Sequence, residues 1–186
     1  MDERDVLIEL FGRISGHVHG VVNGLTPDQL LEVMEPGTNP IGWLLWHLAR
    51  VQDHHVAEIL DEPQVWASGD WAARFSLEPD PHNLGYGHTP EQVRAVQPEG
   101  PEVLVEYYEA VWSRTKELLE RTRAEDLDRI VDRRWDPPVT LGVRLVSIAD
   151  DDIQHAGQAA YLRGLLDRRP PQAGRSAAGG PPPTPH

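Results

Sequence analysis

The sequence predicts an all-α protein, because apolar residues recur at helical spacing through four long segments. Three of these segments begin at a helix-start signal, which is either a capping Thr or Asn or a proline in the first turn. No long stretch shows the two-residue alternation that is typical of a β-strand. Four amphipathic helices that each bury one face predict a helical bundle.

The helix boundaries follow from these start signals and from the glycines and prolines that interrupt the pattern. The first long helix is predicted over residues 3–23, and Thr26-Pro27 opens a short helix that extends to about residue 34. The second long helix follows Asn39-Pro40 and covers residues 40–61. The third covers residues 101–123, and the fourth begins at a Thr140 cap and extends to Leu166.

A long connection separates the second and third long helices. Residues 62–100 have no extended period and are rich in Pro, Gly, His and Asp. A segment of that length is too long for a structureless loop in a compact domain, so we expect one or two short helices, one of them over residues 90–96. Its aromatic residues are expected to cover one end of the bundle, either as a cover over a functional site or as simple hydrophobic anchors.

The composition changes sharply after Arg169. Residues 170–186 consist mainly of Pro, Gly, Ala and Ser and cannot build a hydrophobic core. The sequence therefore predicts one helical domain over residues 1–169, followed by a disordered tail over residues 170–186.

Charge and cysteine content exclude several classes of function. The net charge of −13, from 17 basic and 30 acidic residues, argues against nucleic acid and against an anionic membrane as partners. The sequence has no cysteine, so a thiolate nucleophile of its own and a cysteine-ligated zinc site are excluded. No signal-peptide pattern or membrane-spanning apolar run is seen, which predicts a cytoplasmic protein; a homodimer is left open.

The fourth long helix carries polar residues within its apolar face. Asp151, Asp152 and His155 fall inside the stripe that Leu145, Ile148, Ala159 and Leu162 define. Buried carboxylates cost several kcal/mol unless they are paired or bound to a cation. A carboxylate and an imidazole four residues apart can bind one metal ion from one helix face, so this helix is a candidate half of a metal site.

Further ligands are expected from the second long helix, because metal sites in helical bundles use side chains of facing helices. His47, His54 and His55 are the candidates, and their spacing does not choose among them. Helical periodicity favours His55 as the inward histidine and places His47 on the flank of the stripe. The alternative to a metal is a buried ion pair that joins Asp151 and His155 to Arg144 or Arg50.

Two segments resemble the DinB/YfiT-like superfamily, which includes mycothiol-dependent transferases and the N-terminal part of maleylpyruvate isomerase. Residues 39–53, NPIGWLLWHLARVQD, resemble its tryptophan-rich second helix with a ligand histidine. Residues 150–167, DDDIQHAGQAAYLRGLLD, resemble its fourth helix, in which a ligand and three further residues precede His-x-Gly-Gln. The resemblance implies an up-down-down-up four-helix bundle that binds one divalent metal ion through His47, Asp151 and His155. It thereby selects His47 over His55 and Asp151 over Asp152.

The sequence departs from this superfamily at Asp151, where members usually carry His or Glu. Two histidines and a carboxylate still form a usual open metal site, for which zinc is the first choice and Fe, Ni or Mn are alternatives.

The leading functional hypothesis is a metal-dependent thiol S-transferase. It would use a mycothiol-type low-molecular-weight thiol as cosubstrate and attack a small electrophilic substrate through a metal-bound thiolate. One alternative is a non-haem iron oxidoreductase with the same three ligands, and another is a non-catalytic, stress-associated bundle that binds metal. Catalytic residues other than metal ligands are not indicated.

Overall fold

The computed structural model of the protein describes residues 1–169, and the predicted tail, residues 170–186, lies outside the described residues. This part of the chain is mostly helical, as predicted. In chain order its helices are α1 (Glu3–Val22), α2 (Pro27–Leu30), α3 (Ile41–Leu60), α4 (Trp71–Arg74), α5 (Pro90–Ala95), α6 (Pro101–Arg121) and α7 (Leu141–Asp167).

The three threonine start signals of the sequence act as expected, whereas Asn39 does not cap α3, which begins after Pro40 without a side-chain cap. Thr26 and Thr89 each form a capping box with a glutamine three residues later, at the start of α2 and α5. The Thr140 hydroxyl accepts a hydrogen bond from the Val143 N–H and caps α7. α2 ends at Leu30, four residues earlier than predicted.

The four long helices bury one continuous core. α1 and α3 each pack against both α6 and α7. The core is formed by apolar side chains from all four, with Phe11, Ile14, Trp46, Leu48, Tyr107, Leu119, Leu145 and Ile148 among the least exposed. The direct packing of α3 on α7 brings the two predicted ligand-bearing helices together.

A small antiparallel sheet corrects the expectation of a purely helical protein. Strands β1 (Ile130–Asp132) and β2 (Val139–Thr140) pair in the connection between α6 and α7. Strands of two and three residues are too short for their alternation to be recognised in a sequence. The sheet places Asp132 beside α7, where its carboxylate accepts a hydrogen bond from Arg144 at 2.7 Å.

The long connection between α3 and α6 is anchored by buried aromatic residues. It contains α4, α5 and a short 3₁₀ turn over Val65–Ala67. The rings of Trp66 and Phe75 are buried against Tyr107 of α6, at centroid distances of 5.4 and 5.9 Å. Beyond this anchored part, the connection passes over the N-terminal half of α3.

Within residues 1–169, no helix combines the length and apolar character that crossing a membrane would require.

Candidate metal centre

His47 of α3 and the Asp151 and His155 side chains of α7 form one cluster. Each offers a ligand atom that lies within 4.8 Å of those of the other two. The imidazole centroids of His47 and His155 are 4.7 Å apart, and His155 Nε2 is 3.7 Å from an oxygen of Asp151. The structure therefore brings together the three side chains that the sequence resemblance implied as ligands.

The His47 imidazole is buried and fixed in orientation. Its Nδ1 donates a hydrogen bond to the Leu84 carbonyl, and Trp43 stacks on the ring at a centroid distance of 4.7 Å. This hydrogen bond leaves Nε2 with a free lone pair, as in metal-bound histidines whose other nitrogen is held by a carbonyl. Burial lowers the pKa of His47 to about 4, so the ring is neutral at pH 7, the form that binds a metal.

The His155 imidazole is oriented by its own helix. Its Nδ1 donates to Gln158 Oε1 at 3.0 Å, and Nε2 is then directed at Asp151. A hydrogen bond to an acceptor that fixes the tautomer is the usual second contact of a ligand histidine. The structure thus gives a physical role to the glutamine of the His-x-Gly-Gln motif.

The surroundings of the Asp151 carboxylate show whether a cation fits in this cluster. Its Oδ2 atom is buried and has no hydrogen-bond partner within the described residues. Burial raises the pKa of its carboxyl group, and nearby Asp150 raises it further against the effect of His155. A divalent cation would neutralise this carboxylate, so the donor set of two imidazoles and one carboxylate fits such an ion.

Asp152 is separate from this cluster, although its side chain is fully buried. Burial raises the pKa of its carboxyl group well above the ordinary value, and the neighbouring charge of Asp151 raises it further. Neither of its oxygens has a hydrogen-bond partner among the described residues.

The loop over residues 83–88 completes the surroundings of His47, and the sequence did not identify it. Leu84 supplies the carbonyl for His47, and the Tyr86 ring packs edge-on against the imidazole at 5.0 Å. His88 Nδ1 accepts a hydrogen bond from the Trp43 indole at 3.1 Å. The glycines at positions 85 and 87 predict a turn, and the aromatic residues of the connection were expected to cover one end of the bundle, but neither signal indicated a contact with His47.

Gly85 is required both by its conformation and by its close approach to the site. Its φ is +100°, and a Cβ atom there would lie 2.8 Å from His47 Nδ1 and 3.0 Å from the rings of Trp43 and Trp46. Adding a methyl group therefore displaces either this loop or the His47 imidazole.

We expect Gly85→Ala to weaken metal affinity at least tenfold, because it disturbs the hydrogen bond that orients His47. The positive φ adds a loss of about 1–3 kcal/mol in the free energy of unfolding. Metal titration and thermal unfolding measure the two effects. Gly87→Ala is the matched control, since Gly87 also has a positive φ, +69°, but faces open space. That control should lose stability and keep its metal affinity; equal losses of affinity in both variants would contradict the role of Gly85.

His54 and His55 lie in a different cluster on the same helix. Together with Glu58 they bring ligand-type atoms within 4.8 Å of one another, and both imidazoles are half-buried. Arg134 donates to the Glu58 carboxylate at 3.1 Å, which neutralises it without a metal ion. Periodicity had favoured His55 as the inward residue, whereas the fully buried histidine is His47.

The predicted ion pair of Asp151 and His155 with Arg144 or Arg50 is not formed within residues 1–169. Arg144 hydrogen-bonds to Asp132, and Arg50 pairs with Asp53.

A variant with both His54 and His55 replaced by Gln should still bind one metal ion per chain. The glutamines keep polar side chains in the half-buried positions but remove two imidazole nitrogens. Elemental analysis of the purified variant, beside His47→Ala, checks this result. Metal loss in the double variant together with metal retention in His47→Ala would reverse the assignment of the ligands on α3.

The fold and the cluster together define a helical protein with a candidate His-Asp-His centre between two of its long helices. The chain belongs to the mycothiol S-transferase family, whose sequence model matches residues 6–168. This match confirms the resemblance that residues 39–53 and 150–167 indicated.

The fold is similar to that of a solved structure described as a conserved protein from Enterococcus faecalis. The TM-score is 0.82 at 30% sequence identity, and the alignment covers 91% of this chain and 99% of the other. No curated protein sequence matches the chain significantly.

Proposed function

We propose that this protein is a metal-dependent thiol S-transferase that joins a mycothiol-type thiol to a small electrophilic substrate. The observation that carries the proposal is the cluster of His47, Asp151 and His155, with one buried Asp151 oxygen left without a partner. Membership of the mycothiol S-transferase family supplies the class of reaction.

In this proposal His47, Asp151 and His155 hold one divalent metal ion, with zinc as the first choice. Such an ion lowers the pKa of a thiol that binds to it, so that the thiol is ionised at neutral pH. The Leu84 carbonyl and Gln158 hold the two imidazoles in the ligand tautomer. Because the sequence contains no cysteine, the reacting sulfur comes from the cosubstrate.

The experiment is metal analysis of the purified protein, followed by an assay of thiol consumption with an electrophile. We expect one metal ion per chain and loss of free thiol that stops when the metal is chelated and resumes when zinc is restored. Oxygen-dependent turnover with iron alone, without consumption of thiol, would instead support the oxidoreductase with the same ligands.

We further propose that the four long helices form the up-down-down-up bundle of the superfamily. The packing of α1 and α3 against both α6 and α7 supports this arrangement.

We also propose that the protein acts in the cytoplasm, on small molecules rather than on nucleic acids or membranes. The net charge of −13 supports the last point.

Truncation after Arg169 should leave the fold, metal content and activity unchanged. The composition of residues 170–186 cannot compensate for the entropy lost on ordering them. Thermal unfolding and size-exclusion chromatography of the truncated protein check this. A fall in Tm of more than about 4 °C, or a change in oligomeric size, would show that the tail docks onto the domain or onto a second copy.

A further inference from the structure

We propose that a cavity beside the candidate metal centre binds a carboxylate group of the electrophilic substrate, and that Arg144 is the residue that binds it. The proposal rests on the transferase function above and names the chemical class of its second substrate.

The cavity has a volume of about 480 Å³, which suits a small organic molecule. Its lining includes His54, His55, Tyr86, Asp132, Trp135 and Arg144. It shares a wall with the candidate metal centre, because Tyr86 packs against His47 at a centroid distance of 5.0 Å. A molecule in the cavity therefore lies next to the ligand cluster, separated from His47 by the Tyr86 ring.

Arg144 lies in the first turn of α7 and presents a fixed guanidinium to this cavity. Its Nη2 donates to Asp132 at 2.7 Å, and its side chain is 12% exposed. A guanidinium has five N–H donors in a planar fork, and this is the one hydrogen bond that the described residues provide for Arg144. The remaining donors can bind a carboxylate in the bidentate geometry that guanidinium groups favour.

The charges around Arg144 are balanced, so an anion would bind through the unused donors of its guanidinium. Asp132 shares its carboxylate between Arg144 and Arg134, and Glu58 also pairs with Arg134, so two carboxylates face two guanidinium groups. Burial, and then the charge of Arg144, lowers the pKa of His55 to about 4. Recognition of a carboxylate at pH 7 therefore depends on the remaining N–H groups of Arg144 and not on a net positive charge.

The opening of the cavity has aromatic walls. Trp135, between β1 and β2, is 65% exposed, and Tyr86 is 62% exposed. Exposed aromatic residues beside a fixed charge suit a ligand that has an apolar part and one charged end. An unsaturated carboxylic acid has this shape, and its double bond is an electrophile for thiols.

The test is a calorimetric titration of the full-length protein with monoethyl fumarate and with diethyl fumarate. Both probes carry the same electrophilic double bond and differ by one carboxylate, and the chain has no cysteine that they could alkylate. We expect the monoester to bind at least tenfold more tightly than the diester. Arg144→Met should abolish this preference, and Arg144→Lys should keep part of it. No preference in the wild type, or an unchanged preference in Arg144→Met, would overturn the proposal.

Two controls separate this site from its surroundings. Arg114→Met removes another partly buried arginine, which pairs with Glu62 and does not line the cavity, and should keep the preference for the monoester. His47→Ala should also keep it, which shows that the carboxylate does not bind through a metal ion; loss of the preference there would overturn the role of Arg144.

A second pair of probes, 3-mercaptopropionate and its methyl ester, tests whether the carboxylate that binds Arg144 belongs to the thiol instead. If the protein binds the acid of this pair more tightly than its ester, and shows no such preference for the fumarates, the carboxylate does not belong to the electrophile and the proposal is overturned. These readouts measure binding, so the absence of thiol consumption would count against the transferase function without altering the titration result.

Discussion

Replacement of His155 by Ala should give a folded helical protein that retains no metal ion. The substitution leaves His47 and Asp151 as the two remaining ligands, which are too few for the open three-ligand sites that proteins use. The fold should survive, because the His155 side chain is partly exposed and hydrogen-bonds to Gln158 of its own helix. Burial already raises the pKa of Asp151, so this carboxyl group can take up a proton once the cation is lost.

The measurements are elemental analysis after dialysis, far-UV circular dichroism and thiol consumption. We expect metal content near zero, unchanged helical signal and transfer activity reduced at least a hundredfold. His17→Ala, in an exposed position on α1, controls for the loss of a histidine and should retain one ion per chain. Stoichiometric metal in His155→Ala would remove the basis of the site assignment.

The helices could be predicted because their start signals and apolar spacing are local properties of the sequence. Three threonines cap helices at the predicted positions. Thr26 and Thr89 each precede a proline, and Thr140 precedes an apolar run. The ends were less well defined, as α2 shows, since the last turn of a helix depends on what the chain packs against.

Choosing between His47 and His55 shows where periodicity fails. Helical periodicity predicts the inward residue only when a helix buries one face, but every residue of α3 from Ile41 to Asp53 is buried. This half of α3 is enclosed by α6, α7 and the long connection, so no single stripe exists there. The position of the flank residue His47 was implied only by the resemblance of its surrounding sequence to a known helix.

The loop around Gly85 and the pairing of Asp132 with Arg144 were not predictable from the sequence. Both depend on the path of an irregular segment over a helix that is distant in the chain. The hydrogen bond from His47 joins residues 37 positions apart, and the Leu84 backbone that accepts it carries no residue-specific signal. Such contacts determine the environment of the candidate site while leaving little trace in composition or spacing.

The same long connection depends on a buried ion pair. Arg50 and Asp53 are 0% and 2% exposed, and the Asp53 carboxylate lies 3.4 Å from the Arg50 guanidinium. Asp53 also accepts hydrogen bonds from the Val65 and Trp66 backbone N–H groups and from the Tyr107 hydroxyl, each at 2.8 Å. This carboxylate therefore joins α3, α6 and the start of the connection at one point.

Arg50 extends the attachment toward the candidate metal centre. Its guanidinium donates to the carbonyls of Pro81 and Asn83, at 3.1 and 3.2 Å, and lies 4.6 Å from the centre of the Trp66 ring. Asn83 directly precedes Leu84, whose carbonyl orients His47. The position of the loop over residues 83–88 thus depends on the charge balance between Arg50 and Asp53.

Asp53→Ala should therefore be the most destabilising single substitution that we predict. It leaves the Arg50 charge buried without its counter-ion and two backbone N–H groups without their acceptor. Breaking a buried pair in this way costs about 3–5 kcal/mol in the free energy of unfolding. For a domain of this size, that loss lowers Tm by roughly 10 °C. Thermal and urea unfolding measure the effect, and metal titration should show a weaker site, because the loop that contains Leu84 loses its support.

The matched control is Glu62→Ala, which removes a carboxylate that pairs with Arg114 at the surface. Its Tm should change by less than about 2 °C. Similar unfolding curves for Asp53→Ala and Glu62→Ala would show that the buried pair does not hold the connection in place.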